Sequence, residues 1–278
     1  MKPILSIVIP CYNSESTLEG TLESVLHQDF QDWEAIIVND GSPDNVETIA
    51  LTWLEKDERF KYYKKQNGGL GSARNYGISK AKGEFILPLD SDNQVKEDYA
   101  LKAISVFTEK RNVGVVYGHA EYYGERTGIW KVDDFNLNKI LNHNYIDACA
   151  IFRKGLWEKI GGYDQHMPHQ GHEDWDFWIS MTALNVEFYH LKQVAFRYYV
   201  SNTSMIKSFT DKMVLENQDY IVKKHSAMFH KQFQDLFNSN GEQQNKFLNK
   251  ISSRKFVIDA FCKKLLGFKL FNSELDKL

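Results

Sequence analysis

The sequence predicts an α/β fold: a Rossmann-like, mostly parallel sheet flanked by helices, with a helical C-terminal extension. Three observations lead there. Through about residue 112, apolar β-branched runs alternate with amphipathic segments, and each run ends abruptly in polar residues. Beyond residue 205 the composition turns basic and helix-like. Parallel neighbours need crossover connections, and crossover helices cover both faces of the sheet, so regular strand–helix alternation implies this architecture.

The elements follow in order. SIVIP (6–10) is a compact run of the kind a buried parallel strand requires. Asn13 or Ser14 is placed to cap the next helix, where Leu18, Leu22, Val25 and Leu26 recur at helical spacing. WEAIIV (33–38) is a second strand, stopped by the turn sequence NDGSPDN. Val46, Ile49, Ala50, Trp53 and Leu54 then share one helical face. FKYYKK is a third strand, GGLGSARNYGISKAKG a glycine-rich loop entering a helix, and EFILPLD a fourth strand.

From Val113 the pattern loosens. VGVVYGHAEYYGE reads as strand material, and the stretch from Phe135 to Asp164 as a short helix, an extended piece and a turn at Gly161-Gly162. HQGHEDWDFWISMTAL is a loop opening into a helix, with Glu173 and Asp174 at its start, and VEFYHLKQVAFRYYV is a further strand. The expected organisation is a catalytic domain over 1–205, divided into halves 1–112 and 113–205, and a helical extension over 206–278. That extension carries 13 Lys and Arg against 8 Asp and Glu, although the whole chain has a net charge of -3. Phe256, Val257, Phe261, Leu265, Leu266 and Phe268 lie among its lysines.

Composition narrows the function classes. With 42% hydrophobic and 26% charged residues in 278, an ordinary globular core is available. The slight negative charge gives no reason to expect nucleic-acid binding. Cys11, Cys149 and Cys262 form no CxxC pair, which fits a reducing compartment and argues against a zinc site. No window approaches the ~20 apolar residues of a membrane span, so the cytoplasm is the expected location.

In an open parallel sheet, ligands bind beyond the carboxyl ends of the strands. Those ends here are IPCYN, VNDGS, QNGGLGSAR and LDSDN, all polar and suited to a nucleotide. Asp90 and Asp92 supply hard oxygen ligands of the kind Mg²⁺ or Mn²⁺ prefers, beside a diphosphate. Alone, such a pair reads equally as a solvated turn. Asp40, before a glycine, is either a turn former or an acceptor for a ribose or base. Gly69, Gly71 and Arg74 half-match a GxGxxG fingerprint. Arg stands where the last glycine belongs, and the first βα turn, IPCYNSEST, has no glycines, so a nicotinamide dehydrogenase is disfavoured. The glycines instead permit close approach of a nucleotide, and Arg74 offers charge-assisted bonds to a diphosphate. HEDWD sets three acids among indole rings, where desolvation raises a carboxylate toward a useful base, although acids at a helix start also need no function. His169 and His172 lack a third ligand nearby and read as loop or acceptor-side residues.

Taken together, SIVIPCYNSESTLEGTLESVLHQDFQDWEAIIVNDGSPD, QNGGLGSARNYGISKAKGEFILPLDSDN, IGGYD and GHEDWDFWISM resemble the family 2 glycosyltransferases in order and spacing over roughly residues 4 to 205. The resemblance implies a GT-A fold and an inverting, nucleotide-sugar-dependent transfer to a glycan or lipid-linked acceptor, with UDP the expected nucleotide. It implies that Pro10, Tyr12 and Asp40 hold the base and ribose, with Asn13 and Glu15 of the opening motif at the nucleotide. Arg74 would lie near the diphosphate, Gly69 and Ser91 elsewhere on the nucleotide sugar, Asp90 at the ribose or metal-bound water, and Asp92 on Mn²⁺ or Mg²⁺. Asp174 of the ED pair would be the catalytic base, with Glu173 beside it.

Two departures matter. The QxxRW pattern of processive synthases is missing, so a single transfer per encounter is expected. Ser201 stands where some members place a metal-binding His. The basic tail suits either a helical cap against the catalytic domain or a sister subunit, or a peripheral contact with the inner face of a membrane carrying a lipid-linked acceptor. The competing functional class is a sugar-nucleotide-binding protein that kept the pocket and lost turnover.

Overall fold

The computed structural model describes residues 2–201 and 209–251, together with 253, 255–259 and 263. Phe261, Cys262, Leu265, Leu266 and Phe268, singled out in the sequence, lie outside them. Contacts divide the chain into two compact units, Met1–His225 and Ser226–Leu278.

The first unit begins β1 (Leu5–Cys11), α1 (Leu18–Leu26), β2 (Trp33–Asn39), α2 (Val46–Lys56), β3 (Phe60–Lys64), α3 (Leu70–Lys80), β4 (Phe85–Pro88). It continues β5 (Gln94–Val95), α4 (Tyr99–Glu109), β6 (Val113–Gly124), β7 (Gly128–Trp130), α5 (Leu137–Asn142), β8 (Ile151–Arg153), α6 (Lys154–Ile160), α7 (Glu173–Thr182), β9 (Glu187–Val200), α8 (Asp211–Lys224). Among the described residues the strands form one sheet of order β3-β2-β1-β4-β8-β6-β9-β5, with β7 on β6. The β3-β2-β1-β4 half is wholly parallel. The later half adds the parallel β6–β9 pair and antiparallel joins at β4–β8, β6–β8 and β5–β9.

Burial explains why the first strands read so clearly. Every residue of β1 and β2 is buried, because helices cover both faces and leave no polar side. The one acid inside, Glu34, accepts from Ser6 Oγ at 2.7 Å and from the Lys82 backbone N–H at 2.6 Å. Trp33 and Trp53 meet Phe60 edge-on at 5.4 and 5.2 Å, locking α2 and β3 onto β2.

Register brings the polar strand ends together. Cys11 pairs with Asn39, Val8 with Pro88, and the Leu89 N–H donates to Val8 O at 2.9 Å. Crossovers leave β1 toward β2 on one side and reach β4 on the other. Its end is therefore the switch point where ligands bind.

One local expectation is corrected. Neither Asn13 nor Ser14 caps α1: its N-cap is Thr17, without a side-chain bond. Asn13 instead adopts a left-handed φ of 52° and donates its N–H to Ser42 Oγ at 2.8 Å, turning the chain away at the end of β1. The composition shifts at residue 206, whereas packing divides at 225/226, because buried Asn217 and Ile221 tie α8 to the first unit.

The second unit contains α9 (Ser226–Ile251), on which Phe233, Leu236 and Phe237 stand exposed at helical spacing. Among the described residues, no helix is long and apolar enough to cross a membrane.

Candidate active site

The donor-side loops are organised by their own backbone amides. Asp40, buried directly after β2, accepts from Gly69 N–H at 2.8 Å, Gly68 N–H at 3.1 Å and Lys65 Nζ at 2.6 Å. The carboxylate thus shapes the glycine loop that opens α3. Gly69 sits at φ +86°, and a Cβ there would stand 2.1 Å from Gln170 Nε2, so only glycine serves. Gln170 reaches over from the loop before α7 and accepts from Leu70 N–H at 3.0 Å.

Glu15 is likewise engaged: its carboxylate accepts from the Asn45 N–H at 3.1 Å at the start of α2. Tyr12, just after β1, is 51% exposed, while Pro10 within the strand is buried. Ser91 lies half-buried in the turn closed by Asn93 N–H to Asp90 O at 2.9 Å.

Arg74 joins the two halves. It is 2% exposed, and its guanidinium donates to Asp90 at 2.7 Å and to Glu173 at 3.1 Å. Burial opposes its charge, but Asp90 and then Glu173 outweigh that and raise its pKa. Of the three guanidinium nitrogens only Nε is left without a partner. Arg74, expected near a diphosphate, sits beside Asp90, and its terminal nitrogens already hold carboxylates. The next residue, Asn75, accepts from Trp157 Nε1 and the Tyr163 N–H and donates to Tyr163 O, pinning the Gly161-Gly162 turn.

Helical geometry separates the acids of α7. At about 100° per residue, adjacent positions face different neighbours. Glu173 turns to Arg74 and the Gly171 N–H. Asp176 turns to Lys224 Nζ and His225 Nε2, both at 2.8 Å. Asp174 faces a cavity of about 300 Å³ that it lines with Asn144, Asp147, His172, Trp175 and Tyr198, among others. Indole N–H groups fix the helix, Trp175 to Ile140 O at 2.5 Å and Trp178 to Ile146 O at 2.9 Å. Asp174 accepts from Asn144 Nδ2 at 2.9 Å, and burial, with Glu173 adding, pushes its pKa up to about 7.

Asp92 also rises to about 7, through burial and then the Asp90 charge. It has no ion pair among the described residues, so a cation there would offset charge that the protein leaves uncompensated. No group of three or more His, Cys, Asp or Glu converges there or elsewhere among the described residues. Two carboxylates with hard oxygens, leaving positions for phosphate and water, fit Mg²⁺ or Mn²⁺.

Asp147 escaped the sequence reading. Its carboxyl is pushed up to about 8 by burial and then by Asp90, and it accepts from the Cys149 N–H at 2.8 Å. A lone acid inside the apolar run YIDACAIF was the available signal. His169 and His172 are not brought together as ligands. His169 pairs with Glu216 at 2.6 Å, while His172 lines the cavity.

A family profile described as glycosyl transferase family 2 matches residues 6–189. A glycosyltransferase of Rickettsia typhi, itself uncharacterised, is 27% identical over 284 residues, covering 94% of this chain and 88% of that protein. The minor teichoic acid biosynthesis protein GgaB of Bacillus subtilis is 34% identical over 160 residues, which is 54% of this chain and 18% of GgaB. The crystal structure of S. aureus TarS 1–349 in complex with UDP-GlcNAc superposes with a TM-score of 0.62 at 22% identity, over 76% of this chain and 66% of that one. The chain is thus much shorter than some relatives, and the shared architecture is GT-A.

Proposed function

Because this chain belongs to the family 2 glycosyl transferases, we propose that it catalyses one inverting transfer of a sugar from a nucleoside-diphosphate donor to a hydroxyl of a glycan or lipid-linked acceptor. The observation that carries this reading is Arg74, which ties Asp90 of the metal-suited pair to Glu173 beside the raised carboxyl of Asp174. UDP is the expected nucleotide, supported by the UDP-GlcNAc held by TarS. A role in surface polysaccharide assembly is supported by the likeness to GgaB.

In this reading Tyr12 stacks on the base at the exposed rim, and the Asp40-held glycine loop lets the diphosphate approach the amino end of α3. Asp92, with Asp90 beside it, holds Mg²⁺ or Mn²⁺, which when bound supplies positive charge for the leaving diphosphate. Asp174 accepts the proton of the acceptor hydroxyl, and that oxygen attacks the anomeric carbon from the face opposite the leaving group. Asn144 keeps the carboxylate oriented. The apolar stripe of α9 serves as an attachment surface, for lipid or a second subunit, which liposome sedimentation separates.

The test is a panel of nucleotide sugars with Mn²⁺, read by mass for transfer or donor hydrolysis. Binding without turnover supports the inactive sugar-nucleotide binder instead. Asp174→Asn should retain nucleotide and lose most transfer.

A further inference from the structure

The cavity ahead of Asp174 has a definite chemical character. At about 300 Å³ it lies at the lower end of ligand pockets, matched to a single ring rather than a chain. Its walls carry the aromatic rings of Trp130, Trp175 and Tyr198, with Trp130 braced edge-on against Tyr198 at 5.9 Å. Its polar groups include Asp147, Asp174 and Gln218, and among the described residues neither lysine nor arginine lines it. Aromatic faces attract the weakly positive C–H groups on the face of a sugar ring. Two separate carboxyl groups can each hydrogen-bond a hydroxyl of one ring. A phosphate in the same place would lose its hydration and meet the charge of ionised Asp174, with no lysine or arginine among the described lining residues to offset the cost.

One lining residue, Gln218, comes from α8, beyond the region that the family profile matches. α8 is held in place by bonds that its sequence alone does not announce. Buried Asn217 accepts from the His169 N–H at 2.9 Å and donates to His169 O at 2.8 Å and His172 Nδ1 at 3.0 Å. Lys224 joins Asp164 at 2.6 Å to Asp176 at 2.8 Å. Gln218, next to Asn217 and half-buried, is thereby fixed at the cavity.

We propose that this cavity seats one uncharged sugar ring of the acceptor, with Asp147 and Gln218 as the residues that select it by its hydroxyls. The inference deepens the proposed transfer and rests on Asp174 as its base. It assigns α8 to acceptor recognition and excludes a phosphate-bearing unit from the position next to the base.

The test is ligand-observed saturation-transfer NMR on the full chain with UDP present. The probes are methyl pyranosides of a neutral hexose and an N-acetylhexosamine, a methyl hexoside 6-phosphate, and glycerol phosphate. Ring protons of the neutral pyranosides should saturate, and the phosphorylated probes should bind about tenfold more weakly. Gln218→Ala and Asp147→Asn should each weaken pyranoside binding about fivefold, as loss of one hydrogen bond does, with thermal midpoints no lower than the native chain's. Absence of pyranoside binding, equal or tighter binding of the phosphorylated probes, or unchanged affinity in both variants overturns the proposal. Binding is read without transfer. A chain that holds pyranosides but turns over no donor removes the proposed reaction and leaves this seat standing, whereas donor turnover without pyranoside binding does the reverse.

Discussion

Arg74→Met tests the central joint of the site. The native guanidinium is 2% exposed and faces Glu173, 4% exposed, and Asp90, 30% exposed. Methionine fills similar volume but strands the buried Glu173 charge, and breaking such a pair costs about 3–5 kcal/mol. The partly solvated Asp90 pair adds little beyond this. A net loss of about 4 kcal/mol, at roughly 2–4 °C per kcal/mol for a domain of this size, lowers Tm by about 12 °C. Circular dichroism melts at neutral pH and low salt measure it. Because the penalty comes from a stranded carboxylate, Arg74→Met/Glu173→Gln should be more stable than Arg74→Met alone. A single variant melting within about 2 °C of the native chain, or a double variant less stable than the single, would refute the clamp.

Other expectations follow from the same geometry. The Asp174 carboxyl, at about 7, must be ionised to accept a proton, so kcat/KM should rise with pH through about 7. Asn144→Ala removes a bond that favours the ionised form and should move that limb upward in a pH–rate profile. Asp147 keeps its proton in the folded chain up to about 8, whereas the unfolded chain releases it near 3.8. Its contribution therefore makes stability fall as pH rises between those values, and Asp147→Asn should raise Tm at pH 8 more than at pH 5. Gly69→Ala forces a side chain into φ +86° and against Gln170, and should cost about 1–3 kcal/mol in denaturant unfolding. Asp92→Ala should abolish the Mn²⁺-dependent part of UDP binding measured by calorimetry, and undiminished metal dependence would remove Asp92 from the cation.

Local sequence determined a great deal. The largely apolar runs at 6–10 and 33–38, broken only by Ser6 and Glu34, read as strands buried on both faces, and the polar residues after them marked the crevice. Helical spacing located α1 and α2, and the motifs around Asp90, Asp92, Glu173 and Asp174 carried the likeness to the family that the chain belongs to. These signals survive because periodicity, turn chemistry and strand ends depend on near neighbours in the chain.

Tertiary structure decided which charges meet. Arg74 finds Glu173 across 99 residues, so a group suited to diphosphate became a joint between carboxylates. Asp40 turned its oxygens to the amides of Gly68 and Gly69, and Asn13 left the helix cap for a left-handed turn. Gln218 reached the cavity because Asn217 and Lys224 anchor α8 beside α7, although its own stretch reads only as a polar helix face. A buried charge takes whichever partner the packed chain brings within hydrogen-bond distance, and that proximity is set by how the sheet and helices dock rather than by the residues on either side of it.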